Sequence, residues 1–335
     1  MAAEIAEQPA VWRRILLHRT EIAAVARPIA AASPRFVLFA ARGTSDHAAL
    51  YAKYLTEVLL RLPTGLVSPS AITAYGARPD WRDTLLVVVS QSGFSPDLIR
   101  TMEEGARGGA MTLAVTNDAA SPLARAAHLH LDVLAGVERA VAATKSYTAQ
   151  LLTLFLLIDH LGGKTGDAAL ALPDLADGLL HAAAPVMRIQ AGRYRFAGRM
   201  VVTGRGYAYP TAREAALKLM ETSYVAAQAF SGADLMHGPL AMLDALAPVL
   251  AVVPDGVAGS AMAPALQRVR ETGADLFIVG GGAAGSHMLL PPGVPEALSP
   301  LLEIMPFQLL ARELAIQRGE NPDAPRGLRK VTQTL

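Results

Sequence analysis

Three landmarks in this chain recur at one fixed interval, and that recurrence limits the folds open to it. A strand-like apolar run at residues 36–40, ending in Ala41-Arg42-Gly43, has a counterpart at 199–203, ending in Gly204-Arg205-Gly206. The run before Ser90 has its counterpart at 248–253 before Pro254, and the run ending at Val115 has its own at 274–279. Gly43 and Gly206, Ser90 and Pro254, and Val115 and Val279 are 163, 164 and 164 positions apart. One unit present twice accounts for all three. Within each copy, short apolar runs alternate with helical stretches, the pattern of an α/β unit built on a parallel sheet. Gly162-Gly163-Lys164-Thr165-Gly166-Asp167 is polar and glycine-rich between two helical patterns, so the expected division is 1–165 and 166–335.

A chain of 335 residues can bury two cores. With 52% apolar and 18% charged residues it lacks the signature of disorder. Its 30 basic and 29 acidic residues leave a net charge of +1, without a basic run of the kind that follows a phosphate backbone. Nucleic acid is therefore not an expected partner. There is no cysteine, which excludes disulfides, thiolate metal sites and cysteine nucleophiles together. The opening Met1-Ala2-Ala3-Glu4-Ile5-Ala6-Glu7 is acidic where a signal peptide would be basic, and the expected location is the cytoplasm. The most apolar segment, 151–158, is stopped by Asp159 and His160, far short of the ~20 residues that span a bilayer. It reads as a core helix, with no membrane partner.

Taken in order, residues 1–32 carry helical spacing with Trp12, Ile15 and Leu16 on one face, and Pro28, Ser33 and Pro34 are expected to end it. After the strand at 36–40 come Arg42-Gly43-Thr44-Ser45-Asp46-His47 and an amphipathic stretch at 48–60. The β-branched run 85–89 then breaks into Ser90-Gln91-Ser92-Gly93-Phe94-Ser95-Pro96-Asp97. This predicts a buried strand that delivers hydroxyl and amide groups to the start of a helix, whose free N–H groups and dipole favour an anion. There is neither the lysine of a Walker loop nor the glycine spacing of a dinucleotide fingerprint. A single phosphate on a small molecule fits, as does a serine-rich turn with no ligand. Further strands are expected at 111–115 and 128–133, with Ser121-Pro122 capping a short helix from Leu123. Loops that follow neighbouring parallel strands converge on one crevice, the usual ligand site of an open α/β sheet. In the second copy Pro254-Asp255-Gly256 replaces Ser90-Gln91-Ser92, so the first copy is the expected phosphate holder.

The second copy carries candidate acid–base groups. Pro210 suits a first helical turn, and 211–221 is strong helix former throughout. Glu214, Lys218 and Glu221 fall at i, i+4 and i+7 on one face. Read alone, this is also the spacing of a solvated Glu–Lys pair, and His237-Gly238-Pro239 also fits a plain loop histidine. The small-residue run Gly136-Val137-Glu138-Arg139-Ala140-Val141-Ala142-Ala143-Thr144-Lys145-Ser146-Tyr147 before the 151–158 helix suggests backbone packed against something, a ligand among the options, and 173–191 reads as a bridging helix.

Together, Gly43-Thr44-Ser45, Ser90-Gln91-Ser92-Gly93, Ala143-Thr144-Lys145, Glu214 to Glu221, His237-Gly238-Pro239-Leu240 and the tail Pro325-Arg326-Gly327-Leu328-Arg329-Lys330 resemble the sugar isomerase (SIS) domain proteins over nearly the whole chain. Two groups of that family are similar: the isomerase part of glutamine–fructose-6-phosphate aminotransferase, and the SIS-type glucosamine-6-phosphate deaminases. The resemblance implies two tandem SIS domains, each a flavodoxin-like five-stranded parallel sheet in three α/β/α layers. It implies that Thr44, Ser45, Ser90, Gln91, Ser92 and Ser95 hold the sugar phosphate, with Gly43, Glu138, Ala142 and Ala143 along the sugar. It implies Glu221 as the base that moves a proton between C1 and C2, His237 as the aid to ring opening, Lys218 beside the sugar, and Lys330 as the amine of a Schiff base. No metal or cofactor is implied. The partner is a small phosphosugar, and a homodimer is expected in which His237 serves the neighbouring subunit's site.

Two departures separate the groups. The aminotransferases carry a glutaminase domain with a cysteine nucleophile, and this chain shows neither, so ammonia from glutamine is not expected. After Ser-Gln-Ser-Gly they carry an acidic residue, where this chain has Phe94-Ser95. The expected activity is therefore deamination of glucosamine 6-phosphate to fructose 6-phosphate. A glutamine-independent synthase, a phosphosugar isomerase and a non-catalytic sugar-phosphate sensor are the alternatives. A carboxylate tuned by burial and a neighbouring lysine can carry out the aldose–ketose step without a metal, and an imidazole can protonate a ring oxygen near neutral pH.

Overall fold

The structure, a computed structural model, describes residues 1–330. Short runs rich in Val, Leu and Ala form ten strands in two sheets. In the first, β1 (Phe36–Ala40), β2 (Thr64–Leu66), β3 (Thr84–Val89), β4 (Met111–Thr116) and β5 (Leu129–Asp132) lie in the order β2-β1-β3-β4-β5. In the second, β6 (Arg199–Gly204), β7 (Ala226–Ser231), β8 (Pro248–Val253), β9 (Asp275–Gly280) and β10 (Met288–Leu289) lie in the order β7-β6-β8-β9-β10. The two orders are the same, and the strand pairs are parallel. The register repeats as well: Leu38 lies opposite Leu86, and Val201 opposite Val249. Helices flank each sheet in three layers, the two-copy architecture that the 163- and 164-residue offsets require.

The chain divides into two compact units, and neither is one continuous run. The first sheet belongs with Ala10–Glu138, Lys145–Leu170, Arg329 and Lys330; the second belongs with Met1–Pro9, Arg139–Thr144 and Ala171–Leu328. In the first unit the β3 side chains of Leu86 and Val88 pack with Leu98 and Met102 of the Pro96–Arg107 helix and with Ile72 and Trp81. Every β3 residue is buried, because helices cover both faces of a central parallel strand. Residues 151–158 are buried in the Lys145–Leu161 helix, as expected of a core helix. Among the described residues no helix is long and apolar enough to cross a membrane.

Some boundaries differ from expectation. Residues 1–32 form two helices, Ala2–Leu17 and Arg19–Ala32, and Pro28 lies inside the second rather than ending it. An interior proline removes one backbone hydrogen bond, but Ile22, Ala26 and Ile29 are buried on that helix and hold it. Termination falls to Ser33, in the left-handed region at φ 49°, whose N–H donates to Ile29 and Ala30. The helix expected at 48–60 starts at Thr44, runs to Leu55 and continues as a π turn over Thr56–Leu60. Ser121 caps the Pro122–Ala126 helix as expected, its hydroxyl accepting from the Ala124 N–H. Replacing Leu86, fully buried in a central strand, with Ala should cost about 2–5 kcal/mol, read as a lower midpoint in chemical denaturation; an unchanged midpoint would contradict the packing described.

Candidate functional site

In the first unit, β1 and β3 are hydrogen-bonded neighbours running in the same direction, so the loops after Ala40 and Val89 leave from the same sheet edge. Gly43, at φ 55°, caps the helix that begins at Thr44. Ser45 is buried one position further on, and its hydroxyl accepts from Gln150 Nε2 at 3.0 Å. Ser90 extends the ladder by donating its N–H to Val115, and its hydroxyl then accepts the Gly93 N–H at 3.1 Å. The Ser92 hydroxyl accepts from the Phe94 N–H at 3.3 Å, and Asn117 N–H donates to the Gln91 carbonyl. Gly93 sits at φ 70°, where a Cβ would lie 2.3 Å from the Ser121 hydroxyl, so only glycine closes this turn. Ser95 precedes the Pro96–Arg107 helix without its side chain capping it. Thr44, Ser45, Ser90, Gln91, Ser92 and Ser95 thus share one edge of one sheet.

The helix start is less open to an anion than its sequence suggests. Pro96 has no N–H, and the Leu98 N–H is taken at 2.9 Å by the carboxylate of the buried Asp97, whose other oxygen holds Arg42 Nε at 2.7 Å. The groups left to meet a ligand are mainly those of the loop. Nearby in the chain, Glu138 joins distant segments of the same unit. Its carboxylate accepts from the Ser146 N–H at 3.1 Å, the Ser146 hydroxyl at 2.6 Å and Lys330 Nζ at 2.9 Å.

In the second unit the Ala208–Ser223 helix follows β6, and Glu214, Lys218 and Glu221 do line one face. That face is not solvated: Glu214 and Lys218 are 0% exposed and Glu221 is 22% exposed at its side chain. Lys218 Nζ lies 3.4 Å from Glu214 Oε1 and donates to Glu221 Oε2. The ladder therefore runs from a fully buried carboxylate, through a fully buried ammonium, to a carboxylate that reaches solvent. One turn earlier Thr211 donates to Glu303 Oε2 at 2.8 Å, and Ser299 donates to the other oxygen. Glu303 is an acid in the otherwise apolar Leu301-Leu302-Glu303-Ile304-Met305, which is the signal for it in the sequence. Its carboxyl is pushed up to about 7, chiefly by burial, against the lowering effect of the Ser299 and Thr211 hydroxyls.

The second unit also holds Ala142, Ala143 and His237, which the sequence assigns to the site. Ala142 is buried in the Arg139–Thr144 segment, Ala143 is half-buried, and the Val141 N–H donates to the Asp323 carbonyl at 3.1 Å. His237 is exposed on a turn, its backbone N–H held by Asp234. In the loop after β8, the counterpart of the Ser90 loop, the N–H groups of Val257 and Ala258 donate to the two oxygens of Glu296 at 3.0 and 2.8 Å. Gly256 there has φ 138°, and a Cβ would lie 2.4 Å from the Glu296 carboxyl carbon. Among the described residues no group of three or more His, Asp or Glu is placed to hold a metal ion.

These features define a duplicated, doubly wound α/β protein with a hydroxyl-lined loop edge in one copy and a buried Glu–Lys–Glu ladder in the other. Comparison with known proteins agrees: the SIS domain model matches residues 32–159 and again 194–318, and the chain belongs to the SIS-domain family. The glutamine–fructose-6-phosphate aminotransferase [isomerizing] of Methanothermobacter thermautotrophicus is 34% identical over 339 residues, 98% of this chain and 56% of that protein. The chain thus spans a little over half the length of that relative. A solved structure of the C-terminal domain of glucosamine-fructose-6-phosphate aminotransferase from Francisella tularensis is 26% identical, with a TM-score of 0.84 and coverage of 96% and 97%. The glucosamine-6-phosphate deaminase of Thermotoga maritima shares the fold at 22% identity, with a TM-score of 0.78 and 99% of each chain covered.

The buried Glu303 has a consequence for stability. Between its ordinary value of 4.5 and about 7 the unfolded chain ionises this carboxyl while the folded chain keeps it protonated, so its contribution to stability falls as pH rises through that window. The loss above pH 7 is on the order of 3 kcal/mol. Glu303→Gln does not titrate, so its stability relative to the parent should rise between pH 5 and pH 8 in denaturant titrations. Parallel curves at the two pH values would show that burial does not hold the proton.

Proposed function

We propose that this protein is a phosphosugar isomerase of the SIS kind that deaminates glucosamine 6-phosphate to fructose 6-phosphate and ammonia. The observation that carries the reading is the Glu214–Lys218–Glu221 ladder, because a carboxylate at the solvent end of a buried ion pair is suited to repeated proton transfer. Phosphate is held by Thr44, Ser45, Ser90, Gln91, Ser92 and Ser95. His237 protonates the ring oxygen, and Glu221 takes the C2 proton of the open aldose and returns it to C1. The product ketimine at C2 adds water and expels ammonia, which leaves the ketose. Lys330, hydrogen-bonded to Glu138, is the amine that condenses with the ketose carbonyl. Support comes from Phe94-Ser95 in place of the acidic residue of the aminotransferases. An ammonia-dependent synthase is the second reading, favoured by the name of the 34%-identical relative.

Ammonia release from glucosamine 6-phosphate by the purified chain tests the first reading; net formation of glucosamine 6-phosphate from fructose 6-phosphate and ammonium, without release in the other direction, would favour the second. Ser92→Ala should weaken phosphosugar binding by about 1.5–3 kcal/mol, the worth of a hydrogen bond to a charged oxygen, and unchanged affinity would remove this loop from the site. In Glu221→Gln, exchange of the C1 or C2 hydrogen with deuterated water should fall by at least about 100-fold while ligand binding survives. We further propose a homodimer in which His237 serves the partner. A refolded equimolar mixture of His237→Ala and Glu221→Gln chains, about half of it hybrids with one working site of two, should then regain up to about a quarter of full activity under two-fold symmetry, whereas no recovery in verified hybrids means that His237 acts within its own chain or not at all.

A further inference from the structure

Tyr224 ends the Ala208–Ser223 helix three residues after Glu221, in the left-handed region at φ 53°. A non-glycine residue there is uncommon and costs free energy, yet it aims the phenol at the tail. The Arg326 guanidinium lies over the Tyr224 ring, 4.0 Å from its centroid, and the Arg326 backbone N–H donates to the phenol oxygen at 2.8 Å. One tyrosine therefore grips one residue twice, through its ring face and through its hydroxyl. Three residues earlier the Asp323 carbonyl accepts the Val141 N–H of the Arg139–Thr144 segment. Within this unit, residues 321–328 thus bridge the segment that carries Ala142 and Ala143 to the end of the helix that carries Glu221.

We propose that residues 321–328 are a strap and that Tyr224 is its positioning residue, clamping Arg326 four positions before Lys330 so that the tail presents its amine in one place. The functional part rests on the role given to Lys330 above; the clamp itself does not. Trypsin separates the two, since it cuts after arginine and lysine only when the side chain is free to enter its pocket. In the folded full-length chain, cleavage after Arg326, Arg329 and Lys330, followed by intact mass, should be about tenfold faster in Tyr224→Leu than in the parent. Borohydride trapping of fructose 6-phosphate on Lys330 should fall at least fivefold in the same variant. Glu221-dependent hydrogen exchange should stay within twofold, because the ladder's ion pairs are made within its own helix.

An unchanged cleavage rate overturns the strap. So does a parallel loss of exchange and trapping, which marks a merely frayed helix end. If the parent traps no sugar, the Lys330 role fails and cleavage alone decides: faster cutting supports the strap, and unchanged cutting overturns it. Should Tyr224→Leu not fold, Tyr224→Phe keeps the ring and loses only the hydroxyl. Two- to threefold faster cutting in that variant supports the clamp, and a rate equal to the parent's overturns it.

Discussion

An ammonium with no water on it must find its compensation inside the protein, and the second unit is built around one such group. Lys218 is fully buried, and the carboxylates on either side of it come from its own helix, one turn before and one turn after. Removing both partners would leave an uncompensated charge in a low-dielectric interior, whereas removing one leaves Lys218 paired with the other. The face of the Ala208–Ser223 helix is thereby fixed in rotation, and Glu221 is left at the only end of the ladder that meets solvent. The packing helix Ser299–Gln317 meets the same face with Glu303, a carboxyl pushed up to about 7 by the same lack of water.

Much of this architecture is legible in the amino-acid sequence. β3 and β8 fall where their apolar runs predict, to within a residue, since a strand buried on both faces reads as an unbroken hydrophobic stretch. The repeated offset foretold that both sheets share one strand order. The strands not foreseen, β2, β7 and β10, are short or rich in alanine and glycine, and their existence depends on pairing with a distant neighbour rather than on local preference. The spacing of Glu214, Lys218 and Glu221 was visible, but not their burial, which is decided by helices far along the chain. Likewise no spacing rule links Glu138 to Lys330, 192 positions away, and nothing in Pro96-Asp97-Leu98 announces that Asp97 will fold back onto its own helix start.

The two copies also differ in where their anions come from. After β3 the loop presents hydroxyls, and any anion that joins them arrives from solution, by an amount that depends on its concentration. After β8 two adjacent backbone N–H groups already carry the carboxylate of Glu296, with Gly256 leaving room for it. A tethered group has an effective concentration set by the chain alone. Dialysis cannot strip it, and no rise or fall in a metabolite changes its occupancy. The second copy has thus made the anion at its loop a constant of its own covalent structure, one whose occupancy no solute sets.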